Sequence, residues 1–323
     1  YFGWAVSGVG DVNDDGIPDL AVGTIHDDDG GLDQGAVYIL FLDRDGTVKA
    51  QQKISETEGG FTGDLDPGDR FGAGVAGLGD LNGDGVEDVA VGADQDSDGG
   101  EWRGAVYILF LNADGTVASH QKISSTEGGL VDVPNNYDTF GASVANIGDL
   151  DGDGIRDILV GLPLRDGEQT EDSGGAWILF LNRDGTVKAQ QQIYHNRIFS
   201  EFEGLDRFGW RLDSIGDQDA DGIVEVAVSN PGRGAIHILY LNADGTVKRE
   251  QEISYRSGGL PFNLEEEDSP FRGVVAGFSD LDKDGLNEVV AGVVGDDTAS
   301  PRGAVYLLFL HGETAHTSNT PGE

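Results

Sequence analysis

A nine-residue acidic formula, Asp-x-Asp/Asn-x-Asp-Gly-x-x-Asp/Glu, occurs five times in this chain and keeps one register throughout. The copies span Asp11–Asp19, Asp80–Asp88, Asp149–Asp157, Asp217–Glu225 and Asp280–Glu288, and their first residues lie 69, 69, 68 and 63 residues apart. A period of this size means that one supersecondary unit is copied along the chain. It removes the usual inference that 323 residues make two domains.

Within each copy the oxygen donors fall at fixed places. Position 1 is Asp11, Asp80, Asp149, Asp217 or Asp280; position 3 is Asn13, Asn82, Asp151, Asp219 or Asp282; position 5 is Asp15, Asp84, Asp153, Asp221 or Asp284. Each of these side chains offers one oxygen. Position 7 (Ile17, Val86, Ile155, Ile223, Leu286) offers its backbone carbonyl, and position 9 (Asp19, Asp88, Asp157, Glu225, Glu288) completes the shell. Hard oxygen donors on a tight turn are the coordination chemistry of Ca2+, so the pattern predicts up to five ions, one per repeat. Gly at position 6 lets the chain turn back sharply. The apolar side chain at position 7 is expected to enter the sheet while its carbonyl faces the metal. The loop is not an EF-hand, because apolar residues such as Val22 replace the bidentate Glu at position 12.

The rest of the unit keeps step. Each begins at Phe2-Gly, Phe71-Gly, Phe140-Gly, Phe208-Gly or Phe271-Arg and continues into a short apolar stretch. After the acidic loop comes a second apolar run such as Val89-Ala-Val-Gly. A third run, of the type Gly-Ala-Val-Tyr-Ile-Leu-Phe-Leu, starts at Gly35, Gly104, Gly175, Gly234 and Gly303. Four units then turn through Asp-Gly-Thr, at Asp45, Asp114, Asp184 and Asp244, into a stretch ending Gln-x-Ile. Short runs rich in Val, Ile, Tyr and Phe, bounded by Gly and Asp, are strands, and Asp-Gly between two of them marks a hairpin. No sustained 3.6-residue apolar period is present. The fold class is therefore all-β: a β-propeller of four-stranded antiparallel blades, five of them, with the apolar third strand buried on both faces. One propeller domain is expected over 1–323, with repeats at about 2–70, 71–139, 140–207, 208–270 and 271–316, and 317–323 as a tail or linker.

Alternating strand direction puts the acidic loops and the Asp-Gly-Thr turns on one face. The longer, variable connections then share the other, where recognition surfaces are commonly mounted. The aromatic and basic residues of those connections, Trp102, Arg103, His195, Arg197, Phe199, Phe202, Tyr255 and Arg256, are the candidate partner-binding residues. Trp4, Trp177 and Trp210 are expected in the core, and His237, which takes the slot of Tyr38 and Tyr107, as a packed strand residue.

Fifty-nine acidic against 20 basic residues give a formal charge of −39, which repels nucleic acid and anionic membrane surfaces. No apolar run approaches membrane-spanning length, so membrane insertion is not expected. Cysteine is absent, which excludes disulfides and thiolate chemistry. Calcium loops of modest affinity suit a calcium-rich medium, and a chain opening at Tyr1 reads as a segment of a secreted precursor.

Phe-Gly, the acidic loop and the apolar-Gly pair together resemble the FG-GAP repeat of integrin α-subunit propellers and related bacterial surface proteins. The resemblance covers 1–310 and implies an extracellular or cell-surface calcium-binding propeller. It also implies adhesion or recognition of a protein or glycan ligand, on the face opposite the calcium loops, rather than catalysis. Integrin propellers have seven blades, whereas five repeats occur here; the fifth reads Phe271-Arg and ends without the usual turn and last strand.

Gly72-Ala-Gly-Val-Ala-Gly77 fits a dinucleotide pattern, but no helix follows it and sister units break it. No His-Glu-x-x-His, P-loop or Gly-x-Ser-x-Gly pattern is present, so no catalytic residue is named. Two other readings stand beside recognition: a carbohydrate-binding or polysaccharide-hydrolysing propeller, and a structural spacer in a surface layer or filament.

Overall fold

The computed structural model describes residues 1–166, 172–194, 206–254, 257–258, 271–293 and 304–311. Blade 1 comprises β1 (Phe2–Gly10), β2 (Asp19–Thr24), β3 (Ala36–Leu42) and β4 (Val48–Ile54). Blade 2 comprises β5 (Phe71–Gly79), β6 (Asp88–Ala93), β7 (Ala105–Leu111) and β8 (Val117–Ile123). Blade 3 holds β9 (Val144–Asn146), β10 (Ile158–Leu162), β11 (Gly175–Leu181) and β12 (Val187–Tyr194), and blade 4 holds β13 (Leu212–Gly216), β14 (Glu225–Asn230), β15 (Ala235–Leu241) and β16 (Val247–Ile253). Blade 5 has β17 (Phe271–Phe278), β18 (Glu288–Val293) and β19 (Ala304–Leu308). Each sheet is an antiparallel meander in sequence order, as the strand signals predict. Among the described residues the fifth has three strands rather than four, in line with its missing Asp-Gly-Thr turn.

The core is not inside any blade. It lies between them, as four apolar clusters, one at each junction of consecutive blades. The third strand explains why. Its alternate residues face opposite neighbours: Val37, Ile39 and Phe41 join the cluster shared with blade 2, while Tyr107, Leu109 and Leu111 of β7 meet them from the other side. Strands β7, β11 and β15 are buried along their whole length. Strand β19 is only half-buried.

Successive blades are also joined by backbone. Short parallel bridges link Gly35 to Phe71, Gly104 to Phe140 and Gly174 to Phe208, so the third-run glycine of blade 3 is Gly174, one residue before Gly175. Phe71 N–H donates to the Gln34 carbonyl at 2.8 Å and Phe140 N–H to the Arg103 carbonyl at 3.0 Å. The apolar-Gly pair and the Phe-Gly pair turn out to be the two halves of one contact. A Cβ on Gly92 would sit 1.9 Å from the carbonyl oxygen of Gly141, and one on Gly23 would sit 2.1 Å from that of Gly72. Backbone cannot yield as a side-chain tip can. Gly92→Ala is expected to destabilise the protein by about 3 kcal/mol, the upper range for overpacking, and to lower the calorimetric melting temperature. An unchanged transition would mean that the two backbones are not in contact.

Three other expectations meet the structure here. Trp177 is fully buried, with the Arg165 guanidinium 5.2 Å from its ring centre. His237 is buried as expected, its Nδ1 2.6 Å from Glu250 Oε1. Trp4 is not core: it is exposed on the inner strand of blade 1, where Arg211 of blade 4 stacks on it at 5.5 Å. Trp210 is half-buried, with Arg207 over its ring.

Candidate metal centres

Each acidic formula forms the loop between the first and second strands of its blade. Its turn is built by its own carboxylates accepting backbone N–H groups, which is why Asp and Asn rather than Glu fill the first positions. The position-1 carboxylate spans the turn. Asp149 Oδ1 accepts from Asp153 N–H at 2.9 Å and Oδ2 from Gly154 N–H at 2.8 Å, and Asp11, Asp80 and Asp217 repeat the arrangement, whereas Asp280 accepts from Lys283 and Gly285 N–H. The position-5 carboxylates Asp15, Asp84, Asp153, Asp221 and Asp284 each accept the N–H of position 7 at 2.9–3.0 Å. Asn13, Asn82 and Asp282 at position 3 accept the N–H of position 5.

The turn needs a left-handed residue not only at position 6 but also at position 4. Asp14, Gly83, Gly152, Ala220 and Lys283 have φ between 57° and 87°. Gly83 and Gly152 carried that signal in the sequence; the other three hid it. At position 7, Val86, Ile155 and Ile223 pack against the inter-blade clusters, which ties the loop to the core as expected.

Position 9 carries a second role. Asp19, Asp88, Asp157, Glu225 and Glu288 are all buried, beneath the exposed or half-buried side chains of positions 1, 3 and 5. Asp88 Oδ2 accepts from Leu81 N–H at 2.9 Å while Oδ1 accepts from Leu111 N–H at 3.2 Å, so one carboxylate pins the loop to the end of β7. Asp19 does the same with Val12 and Leu42, and Asp157 with Leu150 and Leu181. Glu225 accepts from Gln218 N–H through Oε2, but its buried Oε1 has no hydrogen-bond partner. Burial disfavours the charged form, against the pull of these N–H donors. It raises Asp88 and Glu225 to about 7 and Asp157 to about 6.

The carboxylates converge. Asp149, Asp151 and Asp157 form a group whose oxygens lie within 4.8 Å of one another, as do Asp217, Asp219 and Glu225, and Asp280, Asp282 and Glu288. Such groups are able to hold a cation, and Glu225 Oε1, which accepts no hydrogen bond and lies 4.0 Å from Lys248 Nζ, fits one beside Asp217 and Asp219. Sequence reasoning missed the cations already beside three loops. Lys188 pairs with Asp151 at 2.8 Å and also with Asp153; Lys248 pairs with Asp219 at 3.1 Å and with Asp221; Lys49 pairs with Asp15. All three follow the Asp-Gly-Thr turn, so loops and turns share a face, and blade 2 has Ala118 at this place. The Val-Lys recurring after three of the turns was the available signal.

On the opposite face a second polar cluster lines a cavity of about 210 Å³ at the top of blade 2, among Asp64, Asp69, Asp96, Tyr107, His120 and Lys122. Lys122 bridges Asp96 at 2.7 Å and Asp98 at 2.6 Å. Burial, and then the Asp96 charge, raise buried Asp69 to about 7. A carboxyl that binds its proton more tightly in the folded state contributes stability below its unfolded pKa and loses it as pH rises through about 7. Asp69→Asn should therefore gain on the wild type between pH 5 and pH 8 in denaturant titrations. Parallel curves for the two proteins would contradict this. Of the candidate partner residues, Trp102 is exposed with Tyr137 against it at 5.6 Å, and Arg103 Nε donates to Asn136 Oδ1 at 2.9 Å. His195, Arg197, Phe199, Phe202, Tyr255 and Arg256 lie outside the described residues. Among the described residues no helix is long and apolar enough to cross a membrane.

Residues 2–40, 71–109 and 140–179 match the FG-GAP repeat family. The chain is 32% identical over 209 residues to integrin alpha-3 of Cricetulus griseus, covering 65% of this chain and 18% of that protein. It is 31% identical over 169 residues to phosphatidylinositol-glycan-specific phospholipase D of Bos taurus, covering 51% of this chain and 19% of the relative. The chain thus spans less than a fifth of either protein. Among solved structures it aligns with the exotype rhamnogalacturonan lyase YesX at a TM-score of 0.41 and 16% identity, over 93% of this chain and 55% of the other, a likeness too distant to argue from. Repeat, sheet order and sequence similarity agree: the chain is a five-bladed FG-GAP repeat β-propeller similar to integrin α-subunits.

Proposed function

We propose that this propeller is an extracellular, calcium-stabilised adhesion or ligand-recognition module. The observation that carries the reading is the convergence of exposed and buried carboxylates in successive loops, where buried Glu225 Oε1 accepts no hydrogen bond beside Asp217 and Asp219 and has a lysine ammonium 4.0 Å away. Side chains at positions 1, 3, 5 and 9 and the carbonyl at position 7 would hold the ion, and all-oxygen donors on a turn favour Ca2+ over softer metals. Similarity to integrin alpha-3 supports recognition of a protein partner. Trp102, Arg103 and Tyr137, on the face away from the loops, have the composition of binding hot spots.

Calorimetric titration of the metal-free chain with calcium is expected to report several sites, up to five. The lysines supply a finer check. Lys188→Gln should tighten calcium binding at Asp149–Asp157 severalfold, because a tethered ammonium no longer competes for Asp151 and Asp153. Absence of calcium heat would end the metal reading. Recognition is tested separately, by adhesion of chain-coated beads to immobilised matrix proteins and glycans with and without Trp102→Ala.

A further inference from the structure

Position 8 of the acidic formula changes chemistry from repeat to repeat: Pro18, Glu87, Arg156, Val224 and Asn287. It offers no metal oxygen to its own loop, and the fold gives it a different neighbour. A Cβ on Gly77 would sit 2.5 Å from the Gly8 carbonyl oxygen, so the inner strands of blades 1 and 2 touch through backbone and deliver consecutive loops side by side. Position 8 of one loop then lies against the residue that precedes position 1 of the loop before it. A Cβ on Gly10 would sit 2.6 Å from Cδ of Glu87 and 2.7 Å from its Oε1, and one on Gly79 would sit 2.7 Å from Nε of Arg156. Asn287 Nδ2 donates to the Ile215 carbonyl at 2.9 Å, and Asn287 N–H donates to Oε1 of Gln218, inside loop 4, at 3.2 Å. Val224 brings no charge to loop 3, and a Cβ on Gly148 would meet nothing within 4 Å.

The bridges differ in sign. Glu87 places a carboxylate one residue from Asp11, and the charges of Arg156, Asp80 and Asp11 all act on it. Arg156 places a guanidinium one residue from Asp80. Asn287 is neutral. Loops 1 and 2 have the same donors, Asp, Asn, Asp, a carbonyl and Asp, so neither loop's own residues reveal that their neighbours carry opposite charges.

We propose, on the calcium reading of the loops, that position 8 sets the ion affinity of the loop on the preceding blade. Glu87 strengthens binding at Asp11–Asp19, and Arg156 weakens it at Asp80–Asp88. A fixed charge acts on a doubly charged ion without touching it. At twice the separation of a contact ion pair, in water, it changes affinity about fivefold. Salt screens the effect, so it is largest at low ionic strength.

Calorimetric calcium titrations at low ionic strength test this in chains whose bridging residue has had its own loop disabled. In an Asp84→Ala background, which removes the ion of loop 2, Glu87→Gln should weaken one remaining site about fivefold. Adding Asp15→Ala, which removes the ion of loop 1, should abolish that difference. In an Asp153→Ala background, Arg156→Gln should tighten one site about fivefold, and adding Asp84→Ala should abolish the gain. Damage to the fold would weaken binding in both variants, so the opposite signs separate charge from misfolding. Affinities that ignore both substitutions, or changes that persist once the neighbouring loop is disabled, overturn the proposal and leave the calcium reading standing. A parent chain that gives no calcium heat ends both.

Discussion

Moving the protein from millimolar calcium into excess chelator at matched ionic strength should lower its melting temperature by about 12 °C. Each ion that binds only the folded state adds about 2.7 kcal/mol when present at a hundred times its dissociation constant. Three filled loops therefore contribute about 8 kcal/mol, and in a domain of 323 residues each kcal/mol shifts the transition by about 1.5 °C. The loops explain why the ion is needed. Without it Asp217, Asp219 and Glu225 crowd together, and among the described residues the cation beside them is Lys248, tethered from β16. Matched ionic strength matters because salt alone screens a charge of −39. A scan that moves by no more than a couple of degrees would show that the loops hold their shape through hydrogen bonds alone.

Removing the buried carboxylate should act even without metal. Asp88→Ala strands the N–H groups of Leu81 and Leu111, and each buried donor left unsatisfied costs about 1–3 kcal/mol, so the variant is expected to lose about 3–5 kcal/mol in chelator. Asp84→Ala in the same loop removes an exposed group whose backbone partner turns to water. It should leave the metal-free transition nearly in place while abolishing one calcium site. Equal losses for the two variants in chelator would erase the distinction between a clamp and a ligand.

What the sequence made legible follows from what is local. A turn of nine residues is governed by bonds among those residues, so spacing alone placed Asp149 and Asp153 together in one tight loop. The alternating apolar third strand likewise announced two buried faces, and the structure fills both on β7, β11 and β15. The rest required neighbours distant along the chain. Nothing near Asp88 says that Leu111, 23 residues later, donates to it. Lys188 lies 35 residues beyond Asp153 and reads alone as a solvated strand residue. Trp4 looked like core because its flanking residues match those of buried sister positions; its exposure depends on which blade stands beside blade 1.

Because the apolar clusters belong to junctions, no blade carries a hydrophobic interior of its own. Under mechanical load such a protein should come apart from an end, each departing sheet uncovering the next, and give a sawtooth rather than a single rupture. The same arithmetic lets a lineage lengthen or shorten the array by whole units, since every duplication brings one plug and one socket.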